Sequence, residues 1–167
     1  MSSGLSSRRK ITGRPNLFDN FIPTSETDEQ VTVEFSMTLK RVLIADDLET
    51  VLDAVVALLR DSFNVVGTVS DGRTALAAVL KLEPDLVVLD ISMPGLTGIE
   101  VARELKCRGN KTKIVFLTVH EDSDIIATCL SVGALGYVLK AVMDSDLIPA
   151  MNEALAGRVF VSRLSSE

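Results

Sequence analysis

The chain has 167 residues, 47% of them hydrophobic, enough for one packed core and no reason to expect a second. With 17 Lys and Arg against 23 Asp and Glu the formal charge is −6, which excludes a protein drawn to nucleic acid by bulk charge. Cys107 and Cys129 lack any CxxC spacing, which excludes a disulfide framework or cysteine zinc site, and no oily run reaches the ~20 residues of a membrane span.

Residues 1–39 carry Arg8, Arg9, Lys10 and Arg14 among five acids and read as a flexible N-terminal arm. They lack the apolar core of a secretory signal, so a cytoplasmic location without membrane contact is expected. Within the arm, Val31, Val33 and Phe35 alternate, a pattern that suits an edge strand or a partner contact. At residue 40 the texture changes.

Five strand-then-helix signals follow, through residue 157. "RVLIADD" is a short apolar strand closed by acids, and Leu48, Val51, Leu52, Val55, Val56 and Leu59 then recur at helical spacing. "NVVGTVS" and "DGRTALAAVLKLE" give the second pair, which Pro84 stops before "DLVVLDIS". The third strand is almost wholly apolar, as a central parallel strand should be. "GIEVARELKC", "KIVFLTV", "DSDIIATCLSVG" and "GYVLK" continue the alternation. A last helix over about 144–156 turns Leu147, Ile148, Met151 and Leu155 inward and ends at Gly157. Residues 158–167 read as a short apolar extension or a truncated linker.

Such alternation predicts a doubly wound α/β fold, a (βα)5 parallel sheet with helices on both faces. Ligands in these folds gather beyond the carboxyl ends of the strands. Asp46, Asp47, Asp90, Thr118 and Lys140 all fall at such ends and should share one site. Taken singly, the acids suit loops or helix caps and Lys140 suits the surface. Together, three carboxylates repel unless a cation joins them. Oxygen ligands without a His or Cys set favour magnesium, with manganese as the alternative. Asp47, Asp90 and the Ser92 backbone carbonyl are the expected direct ligands, with Asp46 direct or through water. Lys140 and the Thr118 hydroxyl complete an electrostatic clamp, and Asp90 can serve as a carboxylate nucleophile that accepts a phosphoryl group. His120, two residues past Thr118, is expected to face solvent and at most to tune water access.

From about Arg41 to Gly157 the chain strongly resembles the receiver domain of bacterial two-component response regulators. The acidic pair Asp46-Asp47, "LDISMPGLTG" around Asp90, Thr118, and "GYVLK" with Tyr137 and Lys140 occur in the family's order. The resemblance implies a flavodoxin-like sheet of order 2-1-3-4-5, and magnesium-dependent phosphorylation of Asp90 by a sensor histidine kinase or phosphotransfer protein. It implies slow self-dephosphorylation and no other enzyme activity. It also implies a switch in which Thr118 moves toward the phosphoryl group and Tyr137 rotates inward, remodelling the face of the fourth and fifth helices.

Ser92 stands where the family varies, and Ala141 replaces a common proline, leaving the isomer of the Lys140–Ala141 bond open. The segment "AVMDSDLIPAMNEALAGRVFVS" resembles receivers that carry a LuxR-type helix-turn-helix effector. That implies transcription control, with DNA contacted by an effector outside this chain, and it admits a homodimer. Residues 1–167 contain no DNA-reading helix of their own. A dehalogenase-type phosphatase would place Asp where Ser92 stands, and a flavodoxin would not set two acids in its first turn. The remaining alternative is a stand-alone interaction module of receiver shape that phosphorylation does not switch.

Overall fold

The computed structural model describes residues 38–163, so residues 1–37 of the expected arm, with their Val31–Phe35 alternation, lie outside the described residues. The strands are β1 (Arg41–Ala45), β2 (Asn64–Val69), β3 (Leu86–Leu89), β4 (Lys113–Thr118), β5 (Gly136–Leu139) and β6 (Phe160–Val161). The helices are α1 (Glu49–Leu59), α2 (Gly72–Leu82), α3 (Gly98–Cys107), α4 (Ser123–Ser131) and α5 (Met143–Leu155). All strand pairs are parallel, in the order β2-β1-β3-β4-β5-β6. The expected 2-1-3-4-5 order is therefore present, extended by one strand.

That extension is formed by two residues of the C-terminal stretch. Phe160 N donates to Leu135 O and Ser162 N to Tyr137 O, both at 2.8 Å, while Ser162 Oγ donates to Asp146 Oδ2 at 2.7 Å. A two-residue strand leaves no period for a sequence to display.

Alternate residues of each strand enter different apolar layers, because successive side chains of a strand point to opposite faces. Leu43, Ala45, Val87, Leu89, Phe116 and Tyr137 join the layer beneath α2, α3 and α4. Val42, Ile44, Val88, Val115, Leu117 and Val138 join the layer beneath α1 and α5. β3 is buried along its whole length, as its continuous apolar run requires.

Helix starts follow their capping chemistry. Asp71 accepts from Thr74 N at 2.8 Å, and Thr97 forms a reciprocal capping box with Glu100. Leu48 departs from its expected place on the inner face of α1. It is the N-cap residue and is 52% exposed, because the helix starts only after it. Among the described residues no peptide bond is cis, so Lys140–Ala141 is trans. No described helix is long and apolar enough to cross a membrane.

Candidate functional site

β1 and β3 are neighbours inside the sheet, so the residues that follow them emerge side by side at its carboxyl edge. Asp46 and Asp90 are those residues, and both remain buried, at 2% and 4% exposure. Asp47 beside them is exposed. One carboxylate oxygen from each of Asp46, Asp47 and Asp90 lies within 4.8 Å of the others.

Lys140 is the first residue of a short 3-10 turn after β5 and reaches back over this edge. Its Nζ lies 2.6 Å from Asp46 Oδ2 and 3.6 Å from Asp90 Oδ2. The contact to Asp46 is an ion pair without hydrogen-bond alignment, so the buried Asp46 Oδ2 has no directional donor. Its other oxygen accepts from Leu48 N at 2.9 Å. Asp90 Oδ1 accepts from Ile91 N at 2.8 Å. Burial holds the Asp90 carboxyl above its ordinary pKa; the Lys140 ammonium opposes that shift, and Asp46 and Asp47 reinforce it.

The residues present fit a divalent cation. The donors are all carboxylate oxygens, one of them buried without a hydrogen-bond donor. Among the described residues, three carboxylates against the Lys140 ammonium leave two negative charges unbalanced in a poorly solvated corner. Oxygen donors of this kind suit magnesium.

Thr118, the last residue of β4, is fully buried and pairs across the ladder with Leu139, next to Lys140. Its Oγ1 accepts from His120 N at 3.3 Å. Tyr137 is also fully buried, already inward, and its hydroxyl donates to His120 O at 2.8 Å. Burial pushes that phenol up to about 12.

Two features exceed the sequence reading. His120 does not simply face solvent: its Nε2 shares a 2.9 Å hydrogen bond with Ser92 Oγ, closing a bridge between the loops after β3 and β4. Gly98, at the start of α3, presses on the chain just past β3. Its N donates to Ile91 O at 2.9 Å, and a Cβ there would overlap the Asp90 carbonyl oxygen. The available signal was a glycine in the first turn of a predicted helix, where propensity disfavours it and no turn demands it.

A doubly wound sheet with metal-competent acids and a lysine at its carboxyl edge defines an α/β domain with a cation site at the ends of its strands. The chain belongs to the response regulator receiver domain family, whose pattern matches residues 42–152. It is 37% identical over 128 residues to the uncharacterized transcriptional regulatory protein YvfU of Bacillus subtilis, covering 75% of this chain and 64% of that one. Identity to the nitrate/nitrite response regulator protein NarL of Escherichia coli K12 is 33% over 124 residues, covering 72% and 57%. A two-component response regulator of the LuxR family from Aurantimonas sp. SI85-9A1 superposes with a TM-score of 0.69 at 30% identity, over 74% of this chain and 89% of that one. The chain thus spans between 57% and 64% of the two curated relatives' length. Family membership makes this a signalling receiver with a divalent-metal site rather than an enzyme.

Proposed function

We propose that Asp90 is the phosphoacceptor, that Asp46, Asp47, Asp90 and the Ser92 carbonyl hold magnesium, and that Thr118 and Lys140 contact the phosphoryl group. The observation that carries this reading is the convergence of three carboxylates within 4.8 Å under a half-buried lysine. A carboxylate oxygen of Asp90 bonds to phosphorus as the phosphorus–nitrogen bond of a donor phosphohistidine breaks. The leaving imidazole keeps the electron pair and takes up a proton. Bound magnesium supplies positive charge to the phosphoryl oxygens. Lys140 exchanges a carboxylate contact for a phosphoryl one, Thr118 donates its hydroxyl proton, and no general base is needed.

The donor in this reading is a sensor histidine kinase or phosphotransfer protein in the cytoplasm, a setting supported by the two free cysteines. The output is control of transcription through DNA contacts made outside residues 1–167, supported by the transcriptional regulator among the relatives. Thr118 and Tyr137 form the switch, with the face of α4, β5 and α5 as its readout and a homodimer as one way to use that face. Incubation with magnesium and acetyl phosphate or phosphoramidate should add about 80 Da to the protein and nothing to Asp90→Asn. No gain from either donor would leave a binding module that phosphorylation does not switch.

A further inference from the structure

The loop that carries Asp90 and Ser92 runs from β3 to α3, and its far side rests on a part of the chain that the site does not otherwise use. Gly72, the first residue of α2, is buried and donates its N–H to Pro94 O at 3.1 Å. That N–H is one of the donors a helix start leaves unpaired, so the loop caps the helix while the helix holds the loop. There is no slack in the seat. A Cβ on Gly72 would overlap the Leu96 carbonyl oxygen and stand 2.6 Å from the Leu96 carbonyl carbon and 2.8 Å from Leu96 Cβ. Beside it the Arg73 stem covers Gly95, whose φ of 82° marks the bend of the loop; a Cβ there would lie 3.4 Å from Arg73 Cγ.

The other end of the loop is fixed by equally close contacts. Asp90 N donates to Ala45 O and Gly98 N to Ile91 O, both at 2.9 Å. With both ends pinned to the sheet and to α3, the height of the middle is decided by what lies beneath it, which is the first turn of α2. That turn is held in shape by Asp71, whose carboxylate accepts from Thr74 N at 2.8 Å and from Thr74 Oγ1 at 2.6 Å.

We propose that Gly72 is a positioning residue for the phosphoacceptor loop: by admitting the Pro94–Leu96 backbone into contact with α2, it sets where Ser92 and Asp90 present their oxygens to a divalent cation. The inference rests on the metal and phosphoacceptor reading above, and its test separates the two. Magnesium affinity is measured by titration of amide resonances, phosphorylation by the rate of mass gain with phosphoramidate, and folding by Tm.

Gly72→Ala should raise the magnesium dissociation constant about tenfold, as loss of a supporting contact around a metal site does, and slow phosphorylation with it. Gly136→Ala is the control: its Cβ would meet Val115 Cγ2 at 2.7 Å inside the sheet, on a strand two removed from β3, so Tm should fall while magnesium affinity holds. A folded Gly72→Ala protein that binds magnesium like wild type overturns the proposal, as does an equal loss of affinity in Gly136→Ala. If Gly72→Ala does not fold, Asp71→Ala decides. Removing the cap loosens the same turn and should weaken magnesium binding about threefold, and unchanged binding overturns the proposal. Failure of the wild-type protein to bind magnesium or gain mass would instead sink the reading of the site itself.

Discussion

At the amino ends of the strands the polar groups are settled by neighbours. Asp85 Oδ2 accepts from Arg41 N at 2.8 Å, the Arg41 guanidinium donates to Leu82 O at 2.7 Å, and Thr112 Oγ1 donates to Pro84 O at 3.0 Å. A cleft of about 530 Å3 opens there between Lys40, Asp85, Asn110 and Lys113. At the carboxyl ends the balance is different: two buried acids, a third at the rim, one lysine, and an oxygen with no aligned donor. Concavity therefore does not locate the chemistry of this protein. Unbalanced charge in a poorly solvated place does, because only there does an arriving cation or phosphoryl group change the energy appreciably.

The sharpest way to break this contrast is Lys140→Met. Removing the ammonium leaves Asp46 and Asp90 buried without a cationic partner and should cost about 3 kcal/mol in urea denaturation without divalent ions. Saturating magnesium should recover part of that loss. A cost as small as that of an exposed lysine would erase the distinction between the two ends.

Asp90→Asn tests the same point through pH. The folded-state pKa of Asp90 is raised, so the stability it contributes is complete below its unfolded value, near 3.8, and is lost as pH rises through the folded value. Without divalent ions, Asp90→Asn should therefore gain on wild type as pH climbs through that window. A difference that stays flat with pH would mean that Asp90 is as well solvated as an ordinary surface acid.

Changes at the amino end should be smaller and silent at the site. Asp85→Ala removes the acceptor for Arg41 N and should cost about 1 kcal/mol, with magnesium affinity and the mass gain from phosphoramidate unchanged. Thr112→Val removes one half-exposed hydroxyl bond and should cost about 0.5 kcal/mol, again with both site measurements unchanged. Altered magnesium binding in either variant would show that the two ends are coupled.

Much of the carboxyl edge was legible beforehand, because a parallel βα alternation tells where each strand stops and Asp46, Asp90, Thr118 and Lys140 stand at those stops. The five longer strands and the helices were legible for a related reason: each strand is a run of four or more mostly apolar residues and each helix displays its period. What could not be read were contacts between backbones distant in sequence. Nothing near Gly72 announces Leu96, and nothing near Gly98 announces the Asp90 carbonyl. The Ser92–His120 bridge depends on the spacing of two loops that no local pattern encodes. Leu48 fits the helical period, but the helix begins one residue later, so its side chain stays in water.

Ser162 gives the end of the sheet a mechanical character. Its amide is tied to the carbonyl of Tyr137 and its hydroxyl to Asp146 on α5, while the hydroxyl of Tyr137 grips the turn just past Thr118. The last described strand is thus stapled to both β5 and α5, beside an aromatic residue that itself holds the loop after β4. Loss of β6 would therefore deprive the Tyr137 carbonyl and the Asp146 carboxylate of these donors at once, so the sheet's edge and the start of α5 stand or fall together.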